Sequence, residues 1–486
     1  MEMKRLVPVV AFAAGLVVAL SGTVLAAQTG LTQISSDPFT NSTSFHRTQV
    51  EPDTFSFGST IVSTFQVGRF HNGGASDIGF STSTNSGAKF TQGFLPGLTF
   101  QVDPTSPYER VSDASVAFDA RHNVWLISSI PLLPTTLVVP TVFISRSTDG
   151  GQTWGNPISA VSPTYTSRVD LDKNWTVCDN TPSSPFYGNC YTEFDNFGQF
   201  DLEQMITSTD GGLTWSTPLA TADTVHGLGG QPVVQPNGTV VVPFESLQNT
   251  IAAFTSENGG ASWDKSEKVS HVKVHPNAGS LRTSPLPSAE IDGAGAVYVA
   301  WQDCRFSTGC KANDIVFSTS TDGKAWATPA RATFDAPQVD HFIPGIAVDR
   351  ATSGSGAHIA LSFNFYENAD CTVSTCQLHE GFVSSTDGGA TWTSTSDLAG
   401  PMLVTWLPLT TQGFMVGDYQ STSFDSRGAA HPVFAVATAP NGSVLNEAMF
   451  TTSSGLSVGG GSHATQSAGD GSTSGGSTNV VPPTVR

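Results

Sequence analysis

Charge is scarce in this sequence. Asp, Glu, Lys and Arg together make up 13% of the 486 residues, about half of the roughly 25% usual in soluble proteins. Basic residues are the scarcer sign: 21 Lys plus Arg stand against 40 Asp plus Glu, a formal net charge of −19. A chain so acidic carries no electrostatic footprint for a polyanion, which excludes nucleic acid as a partner. There is no Walker loop, HExxH, CxxC or DxDxDG pattern, so nucleotide and zinc-protease chemistry have no sequence support. No nucleotide or haem cofactor is expected. Ca²⁺ is the one ion that clustered carboxylates in an exported protein would take. No second apolar stretch of membrane-spanning length follows the first 20 residues.

What is present points to β structure. Gly is high at 48 residues and the hydrophobic fraction is 38%, enough for a sizeable core, while Ser, Thr, Val and Phe dominate over helix formers. Residues 1–27 read as a secretory signal peptide: Lys4 and Arg5, an apolar run from Leu6 to Leu20, then small residues at Val24-Leu25-Ala26-Ala27. The mature protein is expected to be secreted, soluble and monomeric, with no membrane span. Residues 28–43 form a lead-in. From 453 to 486 the chain is rich in Gly, Ser and Thr and cannot bury enough surface to offset its ordering entropy, so a flexible tail is expected. The six cysteines form three local pairs, Cys178 with Cys190, Cys304 with Cys310 and Cys371 with Cys376. In an exported chain these read as disulfides that staple loops; metal binding is the alternative.

A repeat runs through residues 44–452. The pattern Ser-x-Asp-Gly-Gly-x-Thr-Trp appears at Ser147–Trp154, Ser208–Trp215 and Ser385–Trp392, with Asn258 replacing Asp in Ser256–Trp263, one residue missing in Ser320–Trp326, and a degenerate copy at Ser83–Phe90. Asp bonds its own following backbone and Gly accepts positive φ, so each box is a tight turn across which the Trp packs back. A β-prone stretch precedes each box, and a further pair of strands lies upstream of it. Box centres at 85, 149, 210, 258, 322 and 387 lie 48 to 65 residues apart. Four-stranded sheets at that period predict a β-propeller of six or seven blades, seven on the strand count; a stacked linear array is the alternative.

The repeated box resembles the Asp-box, or bacterial neuraminidase repeat, of the sialidase superfamily. In that superfamily the boxes lie on the face away from the active site, which implies structural roles for Asp149, Asp210 and Asp387. If each box joins strands three and four, residues just before strand one ring the axis on the opposite face: Glu51, Asp113, Asp172 with Lys173, Asp340 with His341, and Asp418 with Tyr419. Arg69, Glu193 with Asp195, Glu245, Asp303 with Arg305, and Glu367 form the next shell. Carboxylates facing one another are the equipment of glycoside hydrolysis. The resemblance to sialidases further implies three arginines on a substrate carboxylate, a Tyr nucleophile paired with Glu, and an Asp acid/base. Tyr419 is the candidate nucleophile, helped by Glu193 or Glu290, with Asp418 and Asp303 as further catalytic candidates. Arg47 and Arg305 are candidates to orient an acidic group, and Arg69 or Arg282 to complete the set. The remaining residues of the inner ring would bind substrate. The Tyr/Phe-Arg-Ile-Pro motif that usually carries the first arginine is absent, and His46–Pro52 stands near its place. Two readings follow: an exo-acting hydrolase of sialic-acid-type or other glycans, and a non-catalytic extracellular propeller that binds glycan or protein.

Overall fold

The computed structural model describes residues 30–162 and 168–468. The expected signal peptide, and the tail from 469 on, lie outside the described residues. Within them the chain is all-β, with no α-helix and only three short 3₁₀ turns. Antiparallel groups of four strands follow one another along the sequence. Their first strands are Gln49–Phe57, Arg110–Asp119, Leu171–Cys178, Gly227–Leu228 with Val233–Val234, Ser288–Ile291, Asp340–Val348 and Ser421–Phe424. We number the sheets one to seven in that order. Sheets one and two are also joined by a single pairing of Ala75 with Val111.

Each first strand touches the next, and the seventh touches the first. Specific bonds mark most of these contacts. Val116 N–H donates to Asp53 Oδ2 (2.7 Å), Thr176 N–H to Ser115 Oγ (3.2 Å), Ala289 N–H to Gln231 Oε1 (2.8 Å), and Ile346 N–H to Ser288 Oγ (3.1 Å). The Thr422 hydroxyl donates to Gly345 O (3.1 Å) and the Ser421 hydroxyl to Thr54 O (3.4 Å).

Apolar clusters fill the spaces between consecutive sheets. Val62, Ile78 and Phe80 of sheet one pack on Val116, Trp125 and Ile127 of sheet two. Leu126 and Ile144 pack on Leu171, Phe194 and Ile206, and Phe317 packs on Phe363 and Trp392. With both faces covered, Ala75–Ser83 and Val124–Leu132 are buried along their whole length rather than alternately. The last sheet takes its outer strand from the other end of the chain: Leu31–Gln33, in the expected lead-in, pairs with Glu447–Thr452. Pairing also extends past 452, where Leu456–Ser457 joins Ala429–Ala437 and His463–Ala464 joins Thr391–Trp392.

The boxes join third to fourth strands, and their bonding recurs. Ser147 Oγ donates to Asp149 Oδ1 and accepts from Gly151 N–H, while Thr153 donates to Asp149 from both N–H (2.9 Å) and Oγ1 (2.6 Å). Asp210 and Asp387 repeat the set, and in the degenerate copy Asn85 Oδ1 accepts from Ser83 Oγ and Lys89 N–H. These carboxylates are occupied in their own turns, in keeping with a structural role. Asp387→Ala should lower unfolding free energy by about 1–2 kcal/mol, the net worth of its hydrogen bonds from Thr391 and Ser385, as read from the urea midpoint. All three local disulfides are formed; Cys178 and Cys190 sit directly opposite on neighbouring strands.

Candidate functional site

The first strands of sheets one, two, three and six each carry a bulge. Pairing slips between Val50 and Asp53, Ser112 and Ser115, Asp172 and Trp175, and Phe342 and Gly345. At each slip one residue takes positive φ: Glu51 (56°), Asp113 (50°), Lys173 (39°) and Ile343 (54°). Such backbone costs about 1–3 kcal/mol for a residue other than glycine, and Ile343 is branched at Cβ, where the strain is greatest. In sheet four Gly229 (73°) stands at the corresponding place.

These bulges bring together a buried polar network among the first strands. Gln66 donates from Nε2 to Glu51 Oε2 and to Ser112 Oγ (3.1 Å), and its Oε1 accepts from Arg69 Nη1 (3.1 Å). Asp113 accepts from Ser112 Oγ (2.9 Å) and, through Oδ2, from Lys173 N–H (3.2 Å). Arg282 grips Asp418 with two donors, Nε to Oδ1 at 2.8 Å and Nη2 to Oδ2. Lys173 Nζ lies 3.9 Å from the Tyr419 ring centroid and 4.2 Å from that of Trp175, and the two rings meet edge to face at 5.4 Å. With Gln231, Pro287 and Ile343, these three residues line a narrow axial pocket.

The site is buried, where the ring of inner-strand starts was expected to form an open mouth. Exposure is 1% at Glu51, 3% at Asp113, Lys173, Arg282 and Asp418, and 8% at Tyr419. Burial, then the charges of Asp418 and Asp113, raise the Glu51 carboxyl well above the usual range. Burial also pushes the Tyr419 phenol up, reinforced by Glu51 and Asp113, and pushes the Lys173 ammonium down. The Tyr419 hydroxyl has no hydrogen-bond partner among the described residues.

A second acidic group adjoins this network on sheet three. Cross-strand pairing sets Asp172 opposite Asp195, and Asp195 opposite Glu203. Like charges directly opposite are destabilising. The charge is relieved by protons: burial and then the Glu203 charge raise Glu193 well above its usual value, and burial raises Glu203 to about 7. Among the described residues no group of three His, Cys, Asp or Glu side chains could hold a metal ion.

Other expected site residues lie elsewhere. Arg47 is exposed just before the first strand of sheet one, its N–H donating to Asp37 Oδ2 at 2.5 Å. Arg305 Nη2 donates to Asp303 Oδ2 (2.7 Å), Ser270 Oγ (3.0 Å) and His271 O (2.5 Å), so the Asp303–Arg305 pair ties down a disulfide-closed turn. Trp301, a candidate sugar-stacking residue, is fully buried and donates to the same Asp303. Asp340 accepts from Asn313 N–H (2.7 Å) and Asn277 Nδ2 (2.7 Å), and His341 is held between Asp335 and the Asn313 carbonyl. Here the bulge puts Ile343, not Asp340 or His341, on the axial pocket. Glu290 pairs with Arg350 at 3.2 Å and is not among the charges that act on Tyr419. Of the four candidate arginines, only Arg69 and Arg282 reach the network. Gln66, its hub, gave no signal, because one glutamine in a strand looks like any polar strand residue.

A family model described as BNR repeat-like domain matches residues 190–369. The chain is similar to solved structures of a protein of unknown function from Dyadobacter fermentans (15% identity over 73% of this chain and 99% of that one, TM-score 0.45) and a Hadza microbial sialidase (18%, 66% and 64%, TM-score 0.46). A third is the Trypanosoma rangeli sialidase in complex with sialic acid (12%, 87% and 58%, TM-score 0.46). The chain spans less than two thirds of the length of either sialidase. No curated protein matches it. The family match covers residues 190–369, and the same box recurs on both sides of it.

Proposed function

We propose that this chain is an exported, seven-bladed β-propeller that binds a glycan without hydrolysing it. The observation that carries this reading is that the central guanidinium groups are already engaged. Arg282 is bidentate on Asp418, Arg69 is held by Gln66 and by Met415 Sδ at 3.2 Å, and both are buried. A substrate carboxylate would have to displace Asp418 from a paired, desolvated position, an exchange disfavoured by the charge left unpaired. Tyr419 is equally ill placed as a nucleophile. Its phenol is pushed towards the neutral form, and attack requires a lowered pKa or an adjacent base. Closure of the ring is supported by the chain of first-strand contacts from sheet one to sheet seven and back. Export is supported by the signal-like start and the three disulfides.

The test is hydrolysis of a fluorogenic sialoside by the purified mature chain, with Tyr419→Phe beside it. No release above the buffer blank is expected from either. Turnover by the parent that disappears in Tyr419→Phe would overturn the reading and make the protein a hydrolase.

A further inference from the structure

The face opposite the central network carries an open cavity. On the box side, the turns between first and second strands frame a cavity of about 1240 Å³ counted with its open mouth. Its walls are partly aromatic: Phe55, Phe57 and Phe424 line it, and Phe57 is 43% exposed. An exposed Phe at the rim of a cavity is the kind of apolar feature that marks a binding site rather than a core.

The polar groups at its floor come from different sheets and meet near the axis. Arg350, after the first strand of sheet six, donates from Nη2 to Glu290 Oε2 of sheet five at 3.2 Å. Its guanidinium also lies 5.8 Å from the ring centroid of Phe55 in sheet one. Both partners keep access to solvent, with side-chain exposures of 37% and 22%. The other lining acids are committed to their turns: Asp292 accepts from Ala294, Ala296 and Gly354 N–H, and Asp349 from Ala351 N–H. Inward, an adjoining cavity that shares Phe55, Glu290 and Arg350 runs along the first strands to Trp175 and Gln231, beneath the axial pocket.

From this we infer that the box-side cavity is a binding site for the end of a neutral saccharide chain. The ligand class follows from the lining. Aromatic faces suit the apolar faces of sugar rings, and a half-exposed Arg–Glu pair supplies donors and acceptors for adjacent hydroxyls. Glu290, Asp292, Asp349 and Asp425 outnumber the single base Arg350 in the lining, so an anionic sugar is repelled. The inference rests on the glycan-binding reading above and gives that reading its site.

The experiment is saturation-transfer NMR and calorimetric titration of the mature chain with maltotriose, cellotriose and chitotriose, and with 3′-sialyllactose as the anionic counterpart. Phe57→Ser and Arg350→Gln are the variants, both at partly exposed side chains, with far-UV circular dichroism confirming their fold. Binding of at least one neutral trisaccharide is expected, in preference to 3′-sialyllactose, and at least tenfold weaker in each variant. Binding that both variants leave unchanged would overturn this site while leaving the glycan-binding reading in place. Preference for 3′-sialyllactose, or no binding of any probe, would overturn the inference; sialoside cleavage in the separate assay would overturn the underlying reading instead.

Discussion

Arg282→Met should lower the unfolding free energy by about 3–5 kcal/mol, the usual consequence of removing one partner from a buried ion pair. The size of the effect comes from what is left behind. Asp418 is 3% exposed, and the Glu51 charge is close enough to act on the same groups. Without Arg282 its carboxylate must be protonated or must draw water into the buried network. The double variant Arg282→Met/Asp418→Leu separates this from loss of side-chain packing. If the penalty is the orphaned charge, the double variant recovers most of the stability, because apolar groups of similar volume replace a buried pair at little cost. Urea unfolding at fixed pH measures both. A single variant within about 0.5 kcal/mol of the parent would mean that Asp418 finds another partner and that the pair does not organise the site.

Stability should fall between pH 5 and pH 8, by about 3 kcal/mol from Glu203 alone. The sign follows from the direction of the shift. Burial raises the Glu203 carboxyl from an ordinary 4.5 to about 7, and Glu193 on the neighbouring strand is also raised well above its usual value. The folded state therefore holds a proton that the unfolded chain has released above about pH 4.5. That contribution is complete below the unfolded value and disappears as pH rises through about 7. Asp53, raised by burial to about 6, acts in the same direction. The box carboxylates act in the opposite one, but at lower pH: hydrogen bonds from Thr153 and Ser147 outweigh burial and hold Asp149 down at about 2, so its contribution is lost only in acid. Urea midpoints across this range are the measurement. Glu203→Gln should flatten the slope, since a neutral amide has no proton to lose in this range. A parent midpoint that rises from pH 5 to pH 8 would refute a proton held by Glu203 in the folded state.

The parts of the molecule written in short stretches of sequence were readable there. A box is eight residues long, and its Ser, Asp, Gly and Thr bond one another, so neither its turn nor its structural role needs distant partners. The three disulfides join cysteines 12, 6 and 5 residues apart. The all-β class follows from residue types that favour pleated, buried surface. The site behaves otherwise. Arg282 and Asp418 are 136 residues apart, and Arg282 lies between strands, where neither periodicity nor a motif marks it. Leu31–Gln33 closes a sheet some 420 residues away, and nothing in a three-residue strand names its partner.

Bulges account for the remaining differences. A slip of one residue in a strand moves every following side chain to the other face. Counting back from the strands therefore puts Asp340 and His341 at the inner-strand start, where the folded chain has Ile343 on the pocket. The sequence by itself determined the repeat, its turns, its cross-links and the acidic character of the inner strands, because each depends on residue types within one strand or turn. Which acids meet, which are neutralised by Arg282, Arg69 and Lys173, and on which face a cavity stays open were decided only by the tertiary structure. Those outcomes depend on bulge phase and on burial, which exist only once all the sheets have packed together.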